Sequence, residues 1–227
     1  YLFADRKPLL IRRFNIDSSA TAQNASTIQQ LLDEGVTVGE LLDAGITPEE
    51  FYGIEYQGGL IFDVDTLTSF CKVVSTKITP TMRIASEEGP DLSNFVNSNE
   101  SNGISDTELL SSMFDYSMFK YAINANDRGY FDWYIPNLTE AYKIAEQYYL
   151  IKFRDIDGNS LLDISTYIVS TTKSGYNNLS SVQVSYTVVP DEGDTYLFAD
   201  RKPLLIRRFN IDSLPVWGSP ALESFLE

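Results

Sequence analysis

Hydrophobic and polar positions change period several times along the chain, and each change marks a different element. Leu10, Phe14 and Ile16 share one parity and Leu9 and Ile11 the other. Pro8 interrupts the run, which suits a strand entered just after the proline. A polar joint covers 18–24. From Ser26 the spacing turns helical, and LLDEGVTV at 31–38 is echoed ten residues later by LLDAGITP at 41–48. Gly35 and Gly45 stand where helices stop, and Thr37 and Thr47 where the next ones are capped. Pro48 followed by two Glu makes a good helix opening. Three short helices are predicted near 26–34, 38–43 and 48–52. They form either a rigid coupling between domains or a decoration packed on their own domain.

Beyond them, 56–65 reads as a Gly-initiated strand and 70–76 as a second. No Lys-Ser/Thr and no helix follow Gly58 and Gly59, so tight packing or a bulge explains them better than a phosphate loop. The Ser, Asn, Glu and Gly of 86–106 read as a surface excursion. Residues 106–125 return to helical spacing, with Leu109, Leu110, Met113, Phe114, Met118 and Tyr121 as a core-facing stripe. A second helix is predicted over 138–149, and 164–189 is β-rich around a turn at 173–178. Strands early, two helices mid-chain and strands late predict an α+β fold.

One stretch organises the whole. YLFADRKPLLIRRFNIDS occurs at 1–18 and again, letter for letter, at 196–213, an offset of 195 residues. The simplest account is a tandem array. On it, 1–18 is the terminal strand of a preceding repeat, 19–52 a linker and short-helix spacer, 53–213 the main α+β domain, and 214–227 the start of the next linker. Two other accounts are a duplicated end left by engineering and a donor strand that completes a neighbouring sheet.

Charge sharpens this picture. The chain of 227 residues carries a formal charge of −15 and is 43% hydrophobic and 13% aromatic, enough for a real core. Such acidity repels phosphate backbones and anionic membranes, so no nucleic-acid partner is expected. No apolar run approaches the roughly 20 residues of a membrane span, so no membrane insertion is expected either. Each copy of the repeated stretch is basic: Arg6, Lys7, Arg12 and Arg13, or Arg201, Lys202, Arg207 and Arg208, stand against two Asp. Residues 19–195 hold 9 basic and 26 acidic side chains. The stretch therefore reads as a basic assembly strand on an acidic body.

Candidate chemistry is sparse. There is no His, which excludes Ser-His-Asp, Cys-His and zinc-His sites. The one cysteine, Cys71, sits in the apolar run FCKVV and reads as a core thiol. Asp155, Asp157, Asn159 and Asp163 alternate around Gly158 as in a calcium loop, although the full EF-hand spacing fails and a plain Asp-Gly hairpin turn explains the same letters. Calcium is the one cofactor considered. Asp155 and Asp157 are also the sole visible acid-base pair, with nothing to mark a cleft, so no enzyme is expected.

Gly129-Tyr130-Phe131-Asp132-Trp133-Tyr134-Ile135-Pro136, at the opening of the 138–149 helix, resembles the G-x-x-D-W-x-[LI]-P signature of the DUF1566 family, which includes the C-terminal domain of the Legionella collagen-like adhesin. Residues 56–65 look like that family's YQGGIIFYVD opening, Ser170-Thr171-Thr172 like its SST turn, and 203–209 like its closing RPVRRF strand. The likeness covers roughly 52–209. Ile168 and Val169 replace the Trp before the SST, and Tyr134 replaces the Arg after the Asp-Trp. The resemblance implies a C-type-lectin-like domain with two helices and small antiparallel sheets, used for attachment on bacterial surfaces or phage fibres.

Two functions follow as expectations. The first is a structural and adhesive repeat of a long extracellular filament on the bacterial surface, partnered by neighbouring repeats and identical chains in a homo-oligomer. The second is a carbohydrate-binding attachment module, as in a phage tail fibre, whose Tyr130, Trp133 and Tyr134 stack a glycan or other cell-surface target.

Overall fold

The computed structural model describes residues 21–83, 103–112, 117–149, 153, 160–162, 165–172, 179–184, 192–195 and 200–214. These form an α+β fold. The chain opens with helices α1 (Thr21–Asp33) and α2 (Val38–Asp43) and a 3₁₀ turn at Pro48–Glu50. Their boundaries follow local chemistry. Gly35 and Gly45 take positive φ (89° and 97°) at the stops, where a Cβ would be strained. Thr37 Oγ1 accepts from the Glu40 amide at 3.1 Å while Glu40 Oε2 accepts from the Thr37 amide at 2.9 Å, a reciprocal cap. The first helix begins earlier than its apolar spacing predicts, and the third is a single 3₁₀ turn.

A four-stranded antiparallel sheet follows the order β1 (Glu55–Tyr56), β2 (Gly59–Asp65), β3 (Phe70–Val74), β9 (Ile206–Asn210). It is buried on both faces. A bulge at Phe62 shifts the register between Ile61↔Val73 and Asp63↔Lys72. The extra residue changes parity, so Ile61 and Val64 both face one core while Leu60 and Phe62 face the other. The first core joins the sheet to Ile28, Leu32, Val38, Leu41 and Phe51 of the helical segment, and to Leu110, Phe119 and Trp133. Residues 21–51 are thus packed on this domain.

The second core lies against helix α5 (Leu138–Tyr149), through Ile144 and Tyr148. That helix has its predicted bounds. Asn137 caps it, its Oδ1 accepting from the Glu140 amide at 2.8 Å while its own amide donates to Glu140 Oε2 at 3.0 Å. Where one helix is predicted over 106–125, the described residues form α3 (Gly103–Ser112) and α4 (Ser117–Ile123). The earlier start suits Gly103, whose missing Cβ admits the Glu140 carboxylate, the Tyr134 ring and the Asn137 amide.

A second sheet runs β4 (Met82–Arg83), β8 (Asp200–Pro203), β5 (Ser165–Thr172), β6 (Leu179–Val184), β7 (Glu192–Thr195). Contrary to the expectation of purely antiparallel sheets, β5 and β8 pair in parallel, Tyr167 opposite Lys202 and Ile168 opposite Pro203. Ser170-Thr171-Thr172, predicted as a turn, ends β5.

The closing strand also differs from its sequence reading. Two strands, β8 and β9, take part in different sheets, and Leu204 and Leu205 between them divide as well. Leu204 joins the second core and Leu205 the first. The repeated stretch is therefore the seam between both sheets and both cores.

Candidate functional site at Arg207

Two tight turns and one strand build the site. Gln57 and Gly58 both have positive φ (47° and 91°) and join β1 to β2 as a two-residue hairpin. A Cβ on Gly58 would lie 2.7 Å from the Tyr130 ring, so only glycine allows the approach. Arg128 and Gly129 repeat the device (φ 53° and 82°) between Asp127 and Tyr130, which bridge each other. The two turns bring the Gln57 carbonyl and the Tyr130 ring to the face of β9 from which Arg207 projects.

Arg207 occupies the space between them. Its Nη1 donates to the Gln57 carbonyl at 2.7 Å, and its Nε and Nη2 donate to Asp132 Oδ1 and Oδ2 at 2.7 and 2.9 Å. The guanidinium lies 3.9 Å from the Tyr130 ring centroid, a cation-π stack. The Arg207 side chain is 7% exposed and that of Asp132 is 53% exposed, so the pair spans from core to solvent. Burial pushes the Tyr130 hydroxyl above its ordinary pKa, against the pull of Arg207.

The sequence-predicted residues part company here. Trp133 and Tyr134 are buried, and neither offers a face to a sugar. Trp133 Nε1 donates to the Tyr130 carbonyl at 3.0 Å, and its ring fills the first core. The backbone of Tyr134 exchanges two bonds with Ile206, and its hydroxyl donates to Glu140 Oε1 at 3.0 Å. The run beside β9 sends Trp133 into the first core and the adjacent Tyr134 into the second, which spacing alone does not show. Tyr130 is half-buried beneath Arg207, and Phe131 is exposed.

Arg207, expected in a basic assembly strand, faces inward, while Arg208, one position on, stacks over Phe70 at 4.4 Å. Lys202 lies in β8, as does the backbone of Arg201. Arg6, Lys7, Arg12 and Arg13 lie outside the described residues, as do Asp155, Asp157, Asn159 and Asp163. Among the described residues, no group of three or more acidic or cysteine side chains is placed to hold a metal ion. Cys71 is fully buried, and burial pushes its thiol pKa well up.

Sequence reasoning missed a second charged cluster on the opposite face of the sheet. Lys72 Nζ lies 3.3 Å from Asp63 and 3.1 Å from Glu140, and Lys143 reaches Asp63 at 2.6 Å. Burial alone lowers the Lys72 pKa, but the Glu140 and Asp63 carboxylates outweigh it and hold it above its ordinary value. The available signal was Asp63 and Lys72 breaking the apolar runs GLIFDVD and FCKVV. The cluster welds α5 to the sheet.

The contacts of Arg207 are structural. They tie three separated stretches, 56–59, 129–136 and 203–209, into one clasp. The end of β5 meets it through Ser170, whose amide donates to the Pro136 carbonyl at 2.8 Å. Among the described residues, no helix is long and apolar enough to cross a membrane. No protein-family model matches the sequence, and neither the curated proteins nor the solved structures give a match.

Proposed function

We propose that this chain is a structural and adhesive repeat unit of a long extracellular bacterial surface filament or fibre, with a domain of the C-type-lectin-like kind. The observation that carries the reading is the place of the second repeated stretch. It supplies β8, β9 and the Arg207 clasp, so the domain depends on it to close. Its twin ends at Ser18, three residues ahead of α1, where a preceding domain of the same kind would finish. Identical closing sequences at an interval of one domain suit an array whose stability comes from each unit and its neighbours. The convergence of the motifs shared with the DUF1566 signature on one clasp supports the family likeness, and with it attachment as the role. Imaging the intact parent protein by negative-stain microscopy tests this. A row of like-sized beads is expected, and a single compact particle overturns it.

A further inference from the structure

We propose that the slot filled by residues 200–213 is also a docking site for residues 5–18 of a second copy of the chain, so that molecules can join head to tail by strand exchange. The proposal rests on the duplication and the slot, and it concerns residues 5–18 when no slot of a preceding domain holds them.

Every contact that defines the slot is made within the duplicated letters. Asp200 and Arg201 pair with β4, and Lys202 and Pro203 with β5. Leu204 and Leu205 enter the two cores, and 206–210 pair with β3 in unbroken register from Val74↔Ile206 to Phe70↔Asn210. Arg207 makes the clasp, and the Tyr56 ring meets Phe209 edge-on at 5.7 Å. At the end of the stretch the Ile211 carbonyl accepts from the Gly39 amide at 3.0 Å, and the Ser213 carbonyl accepts from Gln57 Nε2 at 3.0 Å. Leu214, the first residue beyond the identity, is exposed. Residues 5–18 have the same letters in the same order, with Arg12 for Arg207 and Phe14 for Phe209.

The slot therefore makes the same contacts with either occupant, and attachment decides between them. The resident segment follows β7 after only four residues, 196–199, which gives it a high effective concentration. An incoming segment must displace it by mass action, so the unaltered chain stays chiefly monomeric. In a chain of these 227 residues, disabling the resident leaves one donor and one slot, facing head to tail, which closes into rings or extends into filaments.

The test is the full chain carrying Arg207→Ala and Phe209→Ala, followed by circular dichroism and size exclusion with light scattering across a concentration series. Native-like oligomers are expected, lost when Arg12→Ala and Phe14→Ala are added. An unfolded chain at every concentration, a folded monomer, or oligomers indifferent to the Arg12 and Phe14 changes would each overturn the proposal. A disulfide trap gives a second measure that leaves the clasp intact. Phe70→Cys with Asn210→Cys should close within one molecule, whereas Phe70→Cys with Asn15→Cys, refolded from urea at high concentration, should yield cross-linked dimers. Closure of the first pair without dimers from the second sinks the idea.

Discussion

Arg207 holds Asp132 by two parallel charge-assisted bonds, although the two residues are 75 positions apart and one is buried while the other is half in water. Such a pair resists removal of its cation more than of its anion. Arg207→Met leaves the Gln57 carbonyl without its donor and abolishes the stack on Tyr130, for an expected loss of about 3 kcal/mol. Asp132→Ala leaves Arg207 its Gln57 partner and access to water at one edge, for about 1 kcal/mol. A double-mutant cycle followed by urea unfolding should show coupling of about 1 kcal/mol. Strict additivity would mean that the ion pair contributes nothing beyond its parts.

Two glycines separate backbone crowding from side-chain crowding. A Cβ on Gly59 would meet the Val74 carbonyl at 2.5 Å, within the ladder that joins β2 to β3. Backbone cannot step aside there, so Gly59→Ala should cost about 2 kcal/mol or more. At Gly39 the same addition meets the Asp212 carboxylate, the end of a side chain that can rotate away. Gly39→Ala should therefore cost less than half as much in a thermal melt, and a reversed order would refute the distinction.

Alkaline pH should weaken the fold before it affects much else. Burial, then the Asp63 charge, pushes the Tyr52 hydroxyl up to about 12, and burial with Glu140 pushes Tyr134 up. The folded state thus keeps these phenols neutral where the unfolded chain ionises, so their contribution is complete below about pH 10 and falls as pH rises beyond it. Lys72 acts in the same sense. Its raised folded pKa contributes stability that is full below the ordinary lysine value and is lost as pH climbs through the raised one. The urea midpoint should hold steady up to about pH 9 and then decline. Tyr134→Phe or Lys72→Gln should make that decline shallower, and an unchanged slope in both would contradict the assignment.

The helix start at α2 offers a smaller and cleaner loss. Thr37→Ala removes the side-chain acceptor of the Glu40 amide and half of a reciprocal cap, for about 1 kcal/mol. Because α2 carries Val38 and Leu41 into the first core, amide exchange there should quicken with the loss of stability. Exchange unaltered in α2 would show that packing alone holds the helix.

What the sequence determined by itself was local. Glycine stops, threonine caps, the bounds of 138–149 and the burial of Cys71 were legible because they depend on neighbours within a few residues. The α+β order was legible for the same reason, since hydrophobic period reports the kind of element. Tertiary structure alone decided which way the aromatics of 129–136 point, the parallel pairing of β5 with β8, and the division of the repeated stretch between two sheets. Those outcomes rest on partners tens of residues distant, such as Gln57 and Asp132 for Arg207. A side chain's solvent or core face on an irregular segment is set by what lies across from it, and spacing along the chain carries no record of that.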